Sequence, residues 1–170
     1  MRSDTQRHTL SILVNDQPGV LARVANLFSQ RGFNIESITV GPCEEPGLSR
    51  MVIVTRGDEL VVEQICKQLH KLIDVIKVQR VSEFPMVERE LALIKVGASP
   101  AVRTEIQGIV EPFRAAVVDV GPQSLIVQVT GDPEKIDALI ELLRPYGIKE
   151  LTRTGVTAMM RGSVKQAVHA

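Results

Sequence analysis

The stretch VTRGDE, at Val54–Glu59, recurs as VTGDPE at Val129–Glu134. In each copy a run of β-branched residues passes through a glycine into an aspartate, and aspartate commonly caps the N-terminus of a helix. Each stretch therefore predicts a strand that leads into a capped helix. Because the motif recurs in the second half of the chain, the sequence indicates two tandem copies of one structural unit.

The residues around the first copy predict the element order β-α-β-β-α-β. Apolar residues at helical spacing from Val20 to Phe28, followed by Gly32, predict an amphipathic helix after the apolar run HTLSILV. The runs FNIESITV, RMVIVTRG and DVIKVQRV predict strands, and a second helix follows Asp58. After SEFPMVER the same order repeats, from ELALIKV to IKELTRTGV.

This order is that of the split β-α-β, or ferredoxin-like, arrangement, with four antiparallel strands and two helices on one face. The predicted fold class is α+β, with two tandem ferredoxin-like domains at 1–82 and 89–170 and a linker at 83–88. Strands such as MVIV and LIVQV carry apolar residues on both sides. We therefore expect the second face of each sheet to be covered, and pairing with another copy of the chain would cover it.

Composition argues against several classes of function. The net charge is zero, with 20 basic and 20 acidic residues, and aromatic residues make up 3% of the chain. The chain thus offers neither a basic field for phosphates nor many aromatic platforms for bases, so we expect no nucleic-acid binding. No apolar run approaches the roughly 20 residues of a membrane span, and the first residues lack a signal-peptide pattern. We expect a cytoplasmic protein with no membrane contact.

The sequence shows no catalytic or metal-binding pattern. Its histidines, His8, His70 and His169, are scattered, and Cys43 and Cys66 have no CxxC spacing, which predicts free thiols. Known nucleotide-binding and nucleophile motifs do not occur. The acidic pair Glu44–Glu45 suits a solvated turn. We therefore expect no catalytic residues and no metal site on this chain.

Longer stretches carry a family resemblance. NDQPGVLARVANLFSQRGFNIESITVG (Asn15–Gly41), PGLSRM and VEQICKQLHKLIDVIKV resemble the regulatory small subunit of acetolactate synthase, also called acetohydroxyacid synthase. The resemblance continues through VERELALIKV to the closing RTGVTAMMRG and spans nearly the whole chain. One piece alone would suggest only an ACT domain, the ferredoxin-like module that senses amino acids. All of them in this order point to the small subunit.

The resemblance implies a regulatory role. In this family a separate catalytic large subunit carries thiamine diphosphate, a divalent metal (magnesium) and a flavin (FAD), and condenses pyruvate with a second 2-oxo acid. The small subunit carries no cofactor, raises that activity and makes it sensitive to a branched-chain amino acid, usually valine in bacteria. N-terminal ACT domains pair into a homodimer with a continuous sheet, and the small amino-acid effector lies at the seam.

The effector site implied by the resemblance lies around NDQPGVL. Family ligand positions fall on Asp16, Gly19 and Asn34, although many relatives have Asn at the first of them. The full expected effector-binding set is Asp16, Gly19, Val20, Leu21, Asn34 and Ile35. A helix N-terminus would accept the effector's carboxylate, which can approach closely at Gly19, and Asp16 would pair with the ammonium. We expect Asn34, at the start of the next strand, to lie beside that helix end and complete the polar shell.

Alternatives stay open at this point. Asp16 could simply cap the helix, with Pro18 opening it and Gly19 easing the turn, and spacing alone favours that interpretation. The chain could also be an ACT regulator of a different enzyme, a nucleic-acid-binding module or a small phosphate-processing enzyme on the same topology. The second copy has GASPAVR where the first has DQPGVL. We therefore expect the second domain to contact the catalytic subunit or serve assembly, without an equivalent effector site.

Overall fold

The computed structural model of the chain describes residues 5–163 and divides into two compact units. The first unit contains the chain up to Val87 together with the chain from Val156, and the second unit spans Glu88–Gly155. Residues 1–4 and 164–170 lie outside the described residues. They include His169 and the outer ends of both predicted domains.

The first unit has the predicted β-α-β-β-α-β order. Its elements are β1 (Gln6–Asn15), α1 (Val20–Gln30), β2 (Ile35–Pro42), β3 (Leu48–Gly57), α2 (Glu59–Leu69) and β4 (Val75–Arg80). The strands form an antiparallel sheet in the order β2-β3-β1-β4. As VTRGDE predicts, β3 leads into a capped helix, because the Asp58 carboxylate accepts a hydrogen bond from Val61 N at 2.9 Å. β2 and β4 are the edge strands.

The core of the first unit lies between its sheet and its two helices. Alternate residues of β1 and β3 point toward α1 and α2, where the helices present residues at helical spacing. The largest of these side chains are fully buried: Leu10, Ile12, Met51, Ile53, Phe28, Ile65 and Leu69. The ring of Phe28 also packs edge-on against Phe33, with ring centroids 6.2 Å apart.

The other face of this first sheet is covered in part by the end of the described chain. Val52 and Val54 of β3 form a second apolar cluster with Val81, Val156 and Ala158. Strand β9 (Thr157–Met160) carries Ala158 and pairs with β5 (Met86–Gly97), and Arg161 N donates to Pro85 O at 2.9 Å. The chain itself, and not another copy, thus covers these valines.

The second unit repeats the order of the first. Its elements are β5, α3 (Arg103–Val110), β6 (Ala116–Val120), β7 (Ser124–Gly131), α4 (Pro133–Leu143) and β8 (Ile148–Arg153). Their sheet order is β6-β7-β5-β8, and Asp132 caps α4 by accepting a hydrogen bond from Lys135 N at 2.9 Å. The α+β class with two tandem ferredoxin-like domains is confirmed.

The unit boundaries differ from the predicted division at two places. β5 begins at Met86, so the second half of the predicted 83–88 linker is already strand. The predicted domain 89–170 includes Val156–Met160, which the structure packs with the first unit because its apolar side chains bury against β3. Sequence periodicity cannot show which of two sheets a short C-terminal strand will cover.

Candidate functional site

The N-terminus of α1 is shaped by Gly19. This residue has φ of 85°, in the left-handed region that glycine adopts at little cost, and it stands at the N-cap position of α1. No side chain caps the helix, so Asp16 does not act as the cap. Helix geometry leaves the first N–H groups without intrahelical partners, with partial positive charge at that end. The structure thus supports the part of the alternative interpretation that concerns Gly19 and contradicts the part that concerns Asp16.

Three connections of the first unit meet at the end of the sheet that lies next to Gly19. Asp16 N donates to Gly47 O at 2.9 Å, which ties the β1–α1 turn to the turn between β2 and β3. Asn15 N donates to Asp74 O at 2.9 Å, just before β4. The backbone of Asp16 is therefore held in place while its side chain is exposed. A carboxylate in this position can pair with a ligand's ammonium.

Arg23 is a residue of this site that sequence reasoning missed. Its guanidinium pairs with the Asp74 carboxylate through Nη2 at 2.6 Å and Nε at 2.9 Å. A Cβ atom on residue 19 would lie 3.1 Å from Arg23 Nη1. The helix N-terminus thus stands beside a half-exposed guanidinium whose Nε and Nη2 face Asp74, while its Nη1 faces Gly19 and can donate to an anion there. The sequence could have indicated Arg23, because it follows Gly19 by four positions and residues four apart lie on one face of a helix.

The two apolar members of the expected set at this end differ in accessibility. Val20 is 3% exposed and belongs to the core, whereas Leu21 is 48% exposed. Only the Leu21 side chain is therefore available for contact with an apolar ligand group. The Val20 backbone N–H already donates to Gln17 O at 3.3 Å, so Val20 offers a ligand neither its side chain nor a free N–H group.

Asn34 and Ile35 lie at the opposite end of α1 from Gly19. The helix has 11 residues, which at about 1.5 Å per residue makes it about 16 Å long. Ile35 lies opposite Thr55 of β3, whereas Pro42, at the other end of β2, lies opposite Ser49. Asn34 is exposed, and its backbone carbonyl accepts a hydrogen bond from Thr55 Oγ1 at 2.5 Å. The prediction that Asn34 lies beside the N-terminus of α1 is wrong within one chain, because α1 separates the two residues.

An open cleft of about 310 Å³ lies at the Asn34 end. Its lining residues come from the end of α1 and from α2: Arg31, Phe33, Leu60, Val61, Gln64 and Gln68. The Arg31 guanidinium donates to Gln68 Oε1 at 3.0 Å across this region. The cleft holds none of the six expected site residues.

The titratable groups of residues 5–163 form no metal-binding cluster. No group of three or more His, Cys, Asp or Glu side chains in that range could hold a metal ion. His8 Nε2 bonds to Gly57 O at 3.2 Å, His70 is exposed, and both cysteines are free. A hydrogen bond from its own backbone, and then the charge of Arg50, lower the pKa of Glu44, as fits a solvated ion pair.

Family comparison assigns the class of the first unit. Residues 10–77 match the family model described as "AHAS small subunit-like ACT domain". With its β-α-β-β-α-β order and glycine turn ahead of α1, the first unit is an ACT domain, a regulatory class of module. Residues 89–162 match a second model, described as "Small subunit of acetolactate synthase".

Whole-chain comparisons give the same family. The chain is 58% identical to a probable acetolactate synthase small subunit of Methanothermobacter thermautotrophicus, over 96% of both chains. It is 54% identical to the acetolactate synthase small subunit of Bacillus subtilis, over 95% of this chain and 94% of that one. The crystal structure of the small subunit from Thermotoga maritima superposes with a TM-score of 0.87 at 47% identity, over 94% and 99% of the chains. The chain belongs to the family of acetolactate synthase small subunits.

Within residues 5–163, no helix has the length and apolar character needed to cross a membrane.

Proposed function

We propose that this chain activates the catalytic large subunit of acetolactate synthase and makes it subject to feedback inhibition by a branched-chain amino acid, valine above the others. The chain acts in the cytoplasm and is itself non-catalytic, while thiamine diphosphate, magnesium and FAD belong to the large subunit. One observation carries this proposal. In an ACT domain of this family, an uncapped helix opens at a left-handed glycine beside the guanidinium of Arg23.

The chemistry of this end suits an amino acid. The effector's α-carboxylate accepts from the N–H groups that follow Val20 in the first turn of α1 and faces the Arg23 guanidinium, and Gly19 leaves it room. The α-ammonium pairs with Asp16, and the aliphatic side chain contacts exposed Leu21. Valine, leucine and isoleucine differ by single methylenes, worth about 1 to 3 kcal/mol each in a fitted pocket. The choice of valine therefore rests on the family.

A homodimer completes the site. β2 is an edge strand, and it runs parallel to β1 because each is antiparallel to β3. Pro42 lies opposite Ser49, and Ser49 lies opposite Val14, so β2 ends where β1 runs into the Gly19 turn. When two β2 edges pair antiparallel about a twofold axis, the start of each strand meets the end of the other. Asn34 and Ile35 of one chain then reach the Gly19 end of its partner.

Replacing Asn34 with Ala should weaken valine inhibition without changing activation. Loss of a hydrogen bond to a charged group costs about 1.5 to 3 kcal/mol, or roughly ten- to a hundredfold in affinity. Inhibition curves of the reassembled enzyme would measure the shift. The matched control is Gln30→Ala, an exposed residue at the end of α1 outside the site. Equal inhibition curves for both variants and the wild type would remove Asn34 from the site.

Reconstitution tests the proposed function itself. The purified chain is mixed with a thiamine-dependent large subunit, and acetolactate formation from pyruvate is followed with and without valine, leucine or isoleucine. We expect the chain alone to form no acetolactate, to stimulate the large subunit and to confer inhibition, strongest with valine. Turnover by the isolated chain, after exclusion of contamination, would contradict its non-catalytic role. Failure of all three amino acids to inhibit a stimulated enzyme would contradict the feedback role.

A further inference from the structure

The backbone of Val156 is held by two side chains of the edge strand β2. Val156 N donates to Ser37 Oγ at 3.4 Å, and Thr39 Oγ1 donates to Val156 O at 3.2 Å. Ser37 and Thr39 are two positions apart, so both point to the same face of the sheet, away from the helices. β2 thus provides a hydrogen-bond partner for both the backbone N–H and the backbone C=O of Val156.

Apolar burial anchors the segment that follows. Val156 is 2% exposed and Ala158 is 7% exposed, and both pack against Val52 and Val54 of β3. Burial is non-directional, whereas the two hydrogen bonds depend on where β2 places its hydroxyl groups. The position of Val156 therefore depends on the position of β2, while the far end of the segment is held by the hydrogen bond from Arg161 N to Pro85 O.

β2 also begins at Ile35, directly after Asn34. The pairing of β2 with β3 shifts register between Ile35 and Ser37, so the backbone of Glu36 has no register partner in β3, although its carboxylate pairs with the Arg56 guanidinium of that strand. Such a bulge is a point where a strand can bend and twist. Ser37 is the first residue in register after the bulge, so movement at Ile35 reaches the Ser37 hydroxyl through two peptide units.

We propose that Ser37 and Thr39 are positioning residues that couple effector occupancy to the docking of residues 156–160. This inference rests on the proposed function, since it takes Asn34 and Ile35 as effector contacts. An effector held at the start of β2 orders the bulge and strengthens the hold of both hydroxyls on Val156. By reciprocity, a docked segment raises the affinity for the effector by the same factor. Val156 is bonded directly to Gly155, the last residue of the second unit. A change in the docking of residues 156–160 is therefore transmitted to Gly155 through the polypeptide chain.

Hydrogen exchange of the full chain, bound to its large subunit, tests the coupling directly. We expect saturating valine to slow exchange both around Gly19 and in residues 156–160. Protection around Gly19 with no change at 156–160 would overturn the coupling and leave the proposed function standing. No change at either place, together with no inhibition, would contradict both.

Isosteric variants separate the hydroxyl from the packing. Thr39→Val removes the hydroxyl and keeps the shape, and Thr39→Ser keeps the hydroxyl. We expect Thr39→Val to lose the valine-dependent protection at 156–160 and to raise the valine concentration for half-inhibition about three- to tenfold, with activation unchanged. Thr39→Ser should behave as the wild type. If both variants respond alike, or if Thr39→Val keeps the valine-dependent protection, the Thr39 hydroxyl does not couple the two sites. Ser37→Ala removes the other hydroxyl, and we expect it to lose the valine-dependent protection as well.

Discussion

Gly19→Asp is expected to abolish inhibition by valine while the variant still stimulates the large subunit. The new carboxylate would stand over the N-terminus of α1, where the effector's carboxylate binds. It would also lie beside Arg23 Nη1, which is 3.1 Å from a Cβ at this position, and would occupy that cation. Two unit charges about 4 Å apart near a protein surface repel by about 4 kcal/mol, which is about a thousandfold in affinity.

Gly19→Asn is the matched control for this prediction. Asparagine has nearly the shape of aspartate and adopts the left-handed region more readily than most residues, as φ of 85° requires, but it carries no charge. We expect Gly19→Asn to weaken inhibition far less than Gly19→Asp. Circular dichroism and retained stimulation of the large subunit would show that each variant is folded. A folded Gly19→Asp variant that still confers full valine inhibition would exclude this turn as the binding site.

The elements of the fold that the sequence predicts well are those set by short-range chemistry. Asp58 and Asp132 each cap a helix, because a carboxylate three residues before a free N–H is a local arrangement. The tandem β-α-β-β-α-β order follows from periodicity and from the repeated motif. Local spacing is less reliable for single side chains. Helical spacing predicts that Leu60 faces inward together with Ile65 and Leu69, yet Leu60 is 72% exposed, because the buried stripe of α2 begins at Val62.

Contacts between distant parts of the chain account for what the sequence could not predict. Arg23 and Asp74 are 51 positions apart, and nothing in the sequence pairs them. Asn34 stands close to Gly19 in the sequence, but the length of α1 keeps the two apart in one chain. The alternation of Val52 and Val54 did indicate a second buried face on β3. It could not indicate that Val156 and Ala158 cover that face.

That covering segment has a large expected effect on stability. A chain that ends at Gly155 would lose Val156 and Ala158 and would expose Val52, Val54 and Val81, which are now buried. Full burial of one valine side chain contributes about 1.5 to 3 kcal/mol. We therefore expect the free energy of unfolding of the first unit to fall by about 3 to 5 kcal/mol, a large part of the roughly 5 to 15 kcal/mol that stabilises a typical domain.

A chain that ends at Ser163 is the matched control, because it keeps the whole covering segment and lacks only residues 164–170. Hydrogen exchange at Val52 and Val54 reports on the first unit alone, and urea unfolding followed by circular dichroism reports on the whole chain. We expect exchange at the two valines to accelerate at least a hundredfold in the chain ending at Gly155, as about 3 kcal/mol implies, and to stay unchanged in the control. The shorter chain should also lose valine inhibition, since β2 would no longer hold Val156. Wild-type exchange at Val52 and Val54 in the chain ending at Gly155 would mean that the first unit is complete without its C-terminal strand, and the predicted 1–82 domain would then stand as a unit of its own.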